Sequence, residues 1–295
     1  MARLRKSDMM YIRRRVVLSV FIVAVSASIW VQMLTASITR QADANSMDTS
    51  EPVCNVSLAP PGSRPIVALA SYPCSGNTWT RHLLETATGI YTGSVYHDKN
   101  LYQGGFLGEM ENWQSGTTLI VKRHSHDPTQ YLNFHSAIML IRNPYSVILC
   151  ERNRQVTNSH TEYSSKEDLV KLDKKSGKDW KDFVKWQIPR WEDAVMSWME
   201  STRPLLAIRY EDMKEDPVRE VIKMTDFLNV TIGENGLNCL KQDIEGRFHR
   251  SADSEKLQLI EELYTEDLRS AIDSTIDRVT NKLTTHGFQP VSAIA

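Results

Sequence analysis

Net charge is almost absent from this chain. Its 295 residues carry 35 basic and 36 acidic side chains, a balance of −1. Six basic groups (Arg3, Arg5, Lys6, Arg13, Arg14, Arg15) and one acid (Asp8) share residues 1–15, a local +5, so the remainder carries −6. A mildly acidic body offers no broad basic face for a phosphate backbone, which excludes nucleic acid as the expected partner. Cysteine is scarce as well: Cys54, Cys74, Cys150 and Cys239. None forms a C-x-x-C pair, which argues against a structural zinc site. Four cysteines allow three full pairings, and spacing does not choose among them. No internal repeat and no low-complexity tract is visible, and the length suits one large domain or two small ones.

Charge is missing altogether from Val16 to Thr39, "VVLSVFIVAVSASIWVQMLTASIT". About 20 apolar residues span a bilayer as a helix. The basic cluster before the run belongs on the cytosolic side, so residues 1–15 read as a cytoplasmic tail, 16–39 as a signal-anchor helix and the body as lumenal. A cleaved signal peptide with its site near Val25 to Ala27 is the competing reading. The apolar run continues past that point through Trp30, Val31, Met33 and Leu34, which favours the anchor. Asn55 (N-V-S) and Asn229 (N-V-T) head glycosylation sequons, usable on a lumenal surface.

Residues 40–64 are polar, proline-containing and aperiodic, and read as a stem. From residue 65 to 290 the pattern is that of a folded domain. "PIVALA" (65–70), "TTLIVK" (117–122), "AIMLIR" (137–142) and "PLLAIRY" (204–210) are apolar throughout, as strands buried on both faces are. Helices are expected at 78–88 (ended by Gly89), 145–157, 180–201, 217–228 and from near Thr265. This alternation predicts an α/β fold with a mostly parallel sheet flanked by helices. In such sheets ligands bind at the carboxyl ends of the strands, and every motif below sits at one.

"SYPCSGNTW", Ser71 to Trp79, follows the first strand. Gly76 and Thr78 fall on the phosphate-loop pattern G-x-x-x-x-G-K-[ST], but Ser71 stands for the first glycine and Asn77 for the lysine. A strand, a tight turn and a helix N-terminus hold an anion through free backbone N–H groups. Without the lysine the loop is poorly built for a triphosphate–magnesium unit, which counts against a P-loop kinase.

The stretch resembles the 5′-phosphosulfate loop of sulfotransferases, commonly Y-P-K-S-G-T-T-W. Tyr72, Pro73, Ser75, Gly76, Thr78 and Trp79 match, Asn77 nearly so, and Cys74 takes the place of the lysine. "AIMLIRNPYSVILC" resembles the family's 3′-phosphate segment, "RYEDMKEDP" its Y-E-D-M stretch, and "LIVKRHSHD" its strand followed by K-[ST]-H. The resemblance implies a P-loop-like sulfotransferase fold and a 3′-phosphoadenosine 5′-phosphosulfate co-substrate with no metal. It implies that Ser75, Gly76, Asn77, Thr78 and Trp79 hold the 5′-phosphosulfate and Arg142 the 3′-phosphate, with Cys150 where the family has a serine contact. Tyr210 would abut the adenine. His124 would be the general base, with Lys122, and Arg81 on the first helix, stabilising charge. Arg247 and Arg250, beside His249, stand where the family carries a basic loop. His126 and Asp127 beside His124 form only a weak metal signature. The wording "SGNTW" with Arg81 two residues on looks most like the sulfotransferase domain of the WSC-domain-containing proteins, Golgi type II enzymes that sulfate sialic acid on glycans; the cysteine-rich WSC modules have no counterpart in this sequence. The expectation is therefore a Golgi-membrane sulfotransferase acting on a glycan, possessing a single membrane helix. An inactive nucleotide- or glycan-binding relative is the alternative, because a disulfide at Cys74 or Cys150 would distort the site.

Overall fold

The computed structural model describes residues 30–33, 53–124, 128–158, 164–172, 177–246 and 253–293. The chain divides into two compact units, Met1–Glu51 and Pro52–Ala295. Of the first unit only residues 30–33 are described, and they are helical. The expected span at 16–39 thus lies almost wholly outside the described residues. Among the described residues no helix is long and apolar enough to cross a membrane.

The second unit is built on β1 (Val67–Ser71), β2 (Gly93–Ser94), β3 (Val121–Arg123), β4 (Ser136–Ile141) and β5 (Leu205–Arg209). Among the described residues these form one sheet in the order β2-β3-β1-β4-β5, and every pairing is parallel. Parallel strands need crossovers, and helices supply them. Between strands lie α1 (Asn77–Thr88), α2 (Lys99–Gln103), α3 (Pro144–Thr157), α4 (Lys166–Val170) and α5 (Trp180–Met199); after β5 come α6 (Tyr210–Glu215), α7 (Pro217–Phe227), α8 (Glu234–Gln242), α9 (Asp253–Leu263) and α10 (Glu266–Thr285).

Successive residues on one strand feed two different cores. Val67 and Leu69 face one, with Leu83 and Leu84 of α1, Val221 and Met224 of α7 and Leu240 of α8. Ala68 and Ala70 face the other, with Val147 and Ile148 of α3, Phe183 and Trp191 of α5 and Ile272 and Val279 of α10. Each fully buried Leu, Ile or Val contributes about 1.5–3 kcal/mol. That double burial is why these strands are apolar without alternation.

The strands sit within a few residues of their expected places, except that β3 begins only at Val121. Before it, the Leu119 N–H donates to the Tyr91 carbonyl, and the Thr117 carbonyl accepts from the Ala59 N–H. Part of the expected stem is fastened to this body. Cys54 is bridged to Cys239 of α8, and Ser57 pairs with Ile90.

Candidate functional site

The chain runs outward from β1 to both sides of the sheet, so the carboxyl end of β1, between β3 and β4, is the topological switch point. Register then places the motifs. Ala70 pairs with Arg123, Ser71 with Leu140, and Ile141 with Arg209. Tyr72, His124, Arg142 and Tyr210 are each the first residue past the end of four adjacent strands.

The loop from Tyr72 to Gly76 turns directly into α1. Gly76 caps that helix in the left-handed region at φ 88°, where glycine alone is free of steric cost. A Cβ there would lie 2.5 Å from the Tyr210 ring, so ring and loop are in close apposition. The N–H groups of Asn77, Thr78 and Trp79 precede the first intrahelical bond, which Thr80 donates to the Gly76 carbonyl. No acid stands in the first turn of α1 to compete for them. The Ser75 hydroxyl is buried there with no hydrogen-bond partner. A buried, unsatisfied hydroxyl beside free helix N–H groups is a cradle that an oxyanion completes.

The Asn77 side chain does not face that cradle. Its amide nitrogen donates inward to the Leu69 carbonyl (3.1 Å) and to Ser71 Oγ (3.2 Å). Where a nucleotide-triphosphate loop has a lysine, this chain has a brace between loop and strand, and only the Asn77 backbone N–H is offered to a ligand. Ser71, which the motif reading gave only as a replaced glycine, bears on His124. Its carbonyl can only accept, so His124 Nδ1 donates to it at 2.9 Å. Ser71 Oγ lies 3.1 Å from the same nitrogen. In the neutral ring this leaves Nε2 with its lone pair. Tyr96 completes the setting: its hydroxyl accepts from the His124 N–H at 2.7 Å, and its ring stacks on the imidazole at 5.6 Å. Burial, followed by the neighbouring charge of Lys122, pushes the His124 imidazole down to about 3, against the hydrogen bond to Ser71. His124 is therefore neutral at physiological pH, with the tautomer a general base needs.

Lys122, two residues earlier on β3, is buried, and its Nζ lies 5.7 Å from the Tyr96 ring centroid. That ammonium has no ion pair or hydrogen bond among the described residues, while the Lys122 carbonyl accepts from the Val95 N–H. Burial, reinforced by Arg81, lowers its ammonium to about 8. Arg142 lies across the loop. Its Nη1 donates to the Cys74 carbonyl at 2.9 Å, and its guanidinium lies 3.9 Å over the Tyr210 ring. The R-N-P that follows β4 has a mechanical meaning: Asn143 caps α3 by accepting from the Tyr145 N–H, and Pro144 takes the first helical position. Trp191 holds the Arg142 carbonyl at 3.1 Å. Trp79 donates its indole N–H to the Ile244 carbonyl and meets Tyr210 edge-on at 6.0 Å. A cleft opens beside it, lined by Thr78, His82, Phe106, Asp243 and Glu245 among others.

Two expected contacts are corrected. Arg81 is fully buried, paired with Glu109 at 2.6 Å and bonded to Thr92 through Nε (2.7 Å) and Nη2 (3.3 Å). Its guanidinium is committed inside the protein, so it does not line the loop. Cys150 is bridged to Cys74. Its sulfur carries no proton and cannot take over the serine's hydrogen bond. The distortion expected of such a bridge is local: Cys74 is left-handed at φ 66°, while the strand–turn–helix and the Gly76 cap both stand. Arg247, His249, Arg250, His126 and Asp127 lie outside the described residues.

A family model for the sulfotransferase domain matches residues 64–274. The chain is 37% identical over 210 residues to a Drosophila melanogaster protein, "WSCD family member CG9164", covering 71% of this chain and 63% of that protein. It is 36% identical over 221 residues to "WSCD family member GA21586" of Drosophila pseudoobscura pseudoobscura, covering 75% and 67%. The chain thus spans about two thirds of the length of these relatives. A crystal structure of a mouse sulfotransferase complexed with PAP superposes with a TM-score of 0.49 at 16% identity, covering 80% of this chain and 91% of that one. On the domain match and the identity to these relatives, the chain belongs to the sulfotransferase family.

Proposed function

We propose that this protein transfers a sulfuryl group from 3′-phosphoadenosine 5′-phosphosulfate to a hydroxyl of a glycan, from a type II position in the Golgi membrane with its body in the lumen. The observation that carries the reading is the set of strand-end residues: the loop, His124, Arg142 and Tyr210 leave four adjacent strands side by side. The residues present fit the donor. The unpaired Ser75 hydroxyl and the N–H groups of 77–79 suit its 5′-phosphosulfate, and the Arg142 fork suits a 3′-phosphate. Tyr210 and Trp79 offer ring surface for the adenine. When bound, the co-substrate supplies the sulfuryl group that is transferred.

His124 takes the proton of the acceptor hydroxyl at Nε2, and Ser71 and Tyr96 hold the ring in place for it. Lys122 neutralises negative charge developing on the sulfuryl oxygens and the departing phosphate. Tyr96 exposes its ring next to the base, an amphipathic surface suited to a sugar. In His124→Ala, label transfer from sulfur-labelled donor to a glycan panel is expected to fall by about 10²–10⁴, while binding of adenosine 3′,5′-bisphosphate stays near wild type. Retained turnover removes His124 from the mechanism.

A donor-binding protein without transfer activity is the second reading, favoured by the loss of the loop lysine to Cys74. Wild-type protein that binds the bisphosphate and labels no glycan establishes it. The lumenal placement is supported by the two disulfides. Both sequon asparagines, Asn55 and Asn229, are exposed. Protein from a secretory host is expected to lose mass on enzymatic removal of N-glycans. An unchanged mass argues for another compartment.

A further inference from the structure

The two positions at which this chain departs from its family's donor contacts are covalently joined to each other. Cys74 lies in the loop and Cys150 midway along α3, 76 residues apart, with Cα atoms 6.0 Å from each other. Cys74 is left-handed at φ 66°, a conformation that a non-glycine residue holds only where its surroundings impose it. In that conformation its carbonyl accepts from Arg142. Arg142 lies over the Tyr210 ring, and that ring is pressed against Gly76. Loop, guanidinium and ring make one stack, and the disulfide ties the loop to the helix that Arg142 precedes. A lysine at 74 would bring charge and a serine at 150 a hydroxyl; a disulfide brings neither. What it fixes is the distance between the 5′ cradle and the Arg142 segment.

We propose that the Cys74–Cys150 disulfide is a positioning element for donor recognition. It sets the spacing between the two anion subsites and aims Arg142, so that selection for a nucleotide with a 3′-phosphate depends on this bond. The proposal rests on the donor reading above. Cys74 and Cys150 are positioning residues that act through Arg142 and the loop.

The test is calorimetric binding of adenosine 3′,5′-bisphosphate and of adenosine 5′-phosphate to the full-length chain. Oxidised wild type is expected to prefer the bisphosphate. Cys74→Ser/Cys150→Ser is expected to lose at least about 10-fold in bisphosphate affinity and much less for the monophosphate, shrinking the preference. Cys74→Lys/Cys150→Ser, with the family's own pair, is expected to regain it without a bridge. A preference unchanged in the double-serine variant, whatever its melting temperature, makes the bond a staple only and overturns the proposal. A second measurement needs no variant. By linkage, saturating bisphosphate must protect this disulfide from a dithiol reductant by the same factor that the disulfide favours binding, while Cys54–Cys239 serves as the internal control. Equal reduction of Cys74–Cys150 with and without nucleotide also overturns it. Wild type that binds neither nucleotide overturns the donor reading itself.

Discussion

Arg81 and Lys122 are both cations buried near the donor loop, and the protein treats them in opposite ways. Arg81 is satisfied: Glu109, the Thr92 hydroxyl and the Thr92 carbonyl take its hydrogen bonds, and the Phe106 ring lies 4.7 Å beneath it. Lys122 is buried almost as deeply, yet its ammonium has no hydrogen bond or ion pair among the described residues and lies near the Tyr96 ring. A buried charge is tolerated when paired and costly when not. The paired one holds α1 to the segment around Glu109. The unpaired one stands beside the loop and His124, and under the proposed function its charge serves the sulfuryl group. From sequence both are simply basic residues near a phosphate loop.

Three measurements break or sharpen that contrast. The largest effect is expected from Arg81→Met, which leaves Glu109 buried without its partner. Stability in denaturant titration should drop by about 3–5 kcal/mol. A variant of wild-type stability that has lost transfer activity would return Arg81 to the site and undo the comparison. Lys122→Met is expected to lose about 10²–10³ in transfer rate with an unchanged or higher melting temperature, since it removes an uncompensated charge. A large fall in stability instead would make Lys122 structural.

The smallest effect is a matter of pH. Because Lys122 titrates at about 8 rather than near 10.5, kcat/KM should decline as pH rises through about 8, and Lys122→Met should lack that decline. Stability should move the other way. Between about 8 and 10.5 the unfolded lysine still binds a proton that the folded one has released, so stability rises with pH over that window. No acid limb near 6.5 is expected from His124, which stays neutral to about 3. A limb at 6.5 that disappears in His124→Ala would contradict this.

Much of the fold was legible in the sequence because double burial leaves a mark. Strands packed on two cores cannot alternate, so β1, β4 and β5 read as unbroken apolar runs. Elements held mainly by their neighbours left no such mark. β2 has two residues, Gly93 and Ser94, and exists because β3 offers its free edge. α8 owes its place to packing on α1 and to the Cys54 bridge. In the candidate site, the residues at strand ends were readable as motifs: His124, Lys122, Arg142, Tyr210 and the Ser75–Trp79 turn. The support they give one another was not. Ser71 and Tyr96 act on His124 from 53 and 28 residues away in sequence; the loop pattern marks Ser71 only as a replaced glycine, and no local pattern marks Tyr96.

Composition and local pattern alone determined the α/β class and set the loop motif, with no lysine in it, at the carboxyl end of the first strand. These follow from short-range rules: burial period, glycine conformation and helix capping. Only the tertiary structure decided what each basic or sulfur-bearing side chain was doing there. Whether a buried cation is paired, whether an asparagine faces the ligand or the strand, and which of three cysteine pairings forms all depend on contacts between residues far apart in sequence. Those contacts exist only once both cores have closed on the sheet.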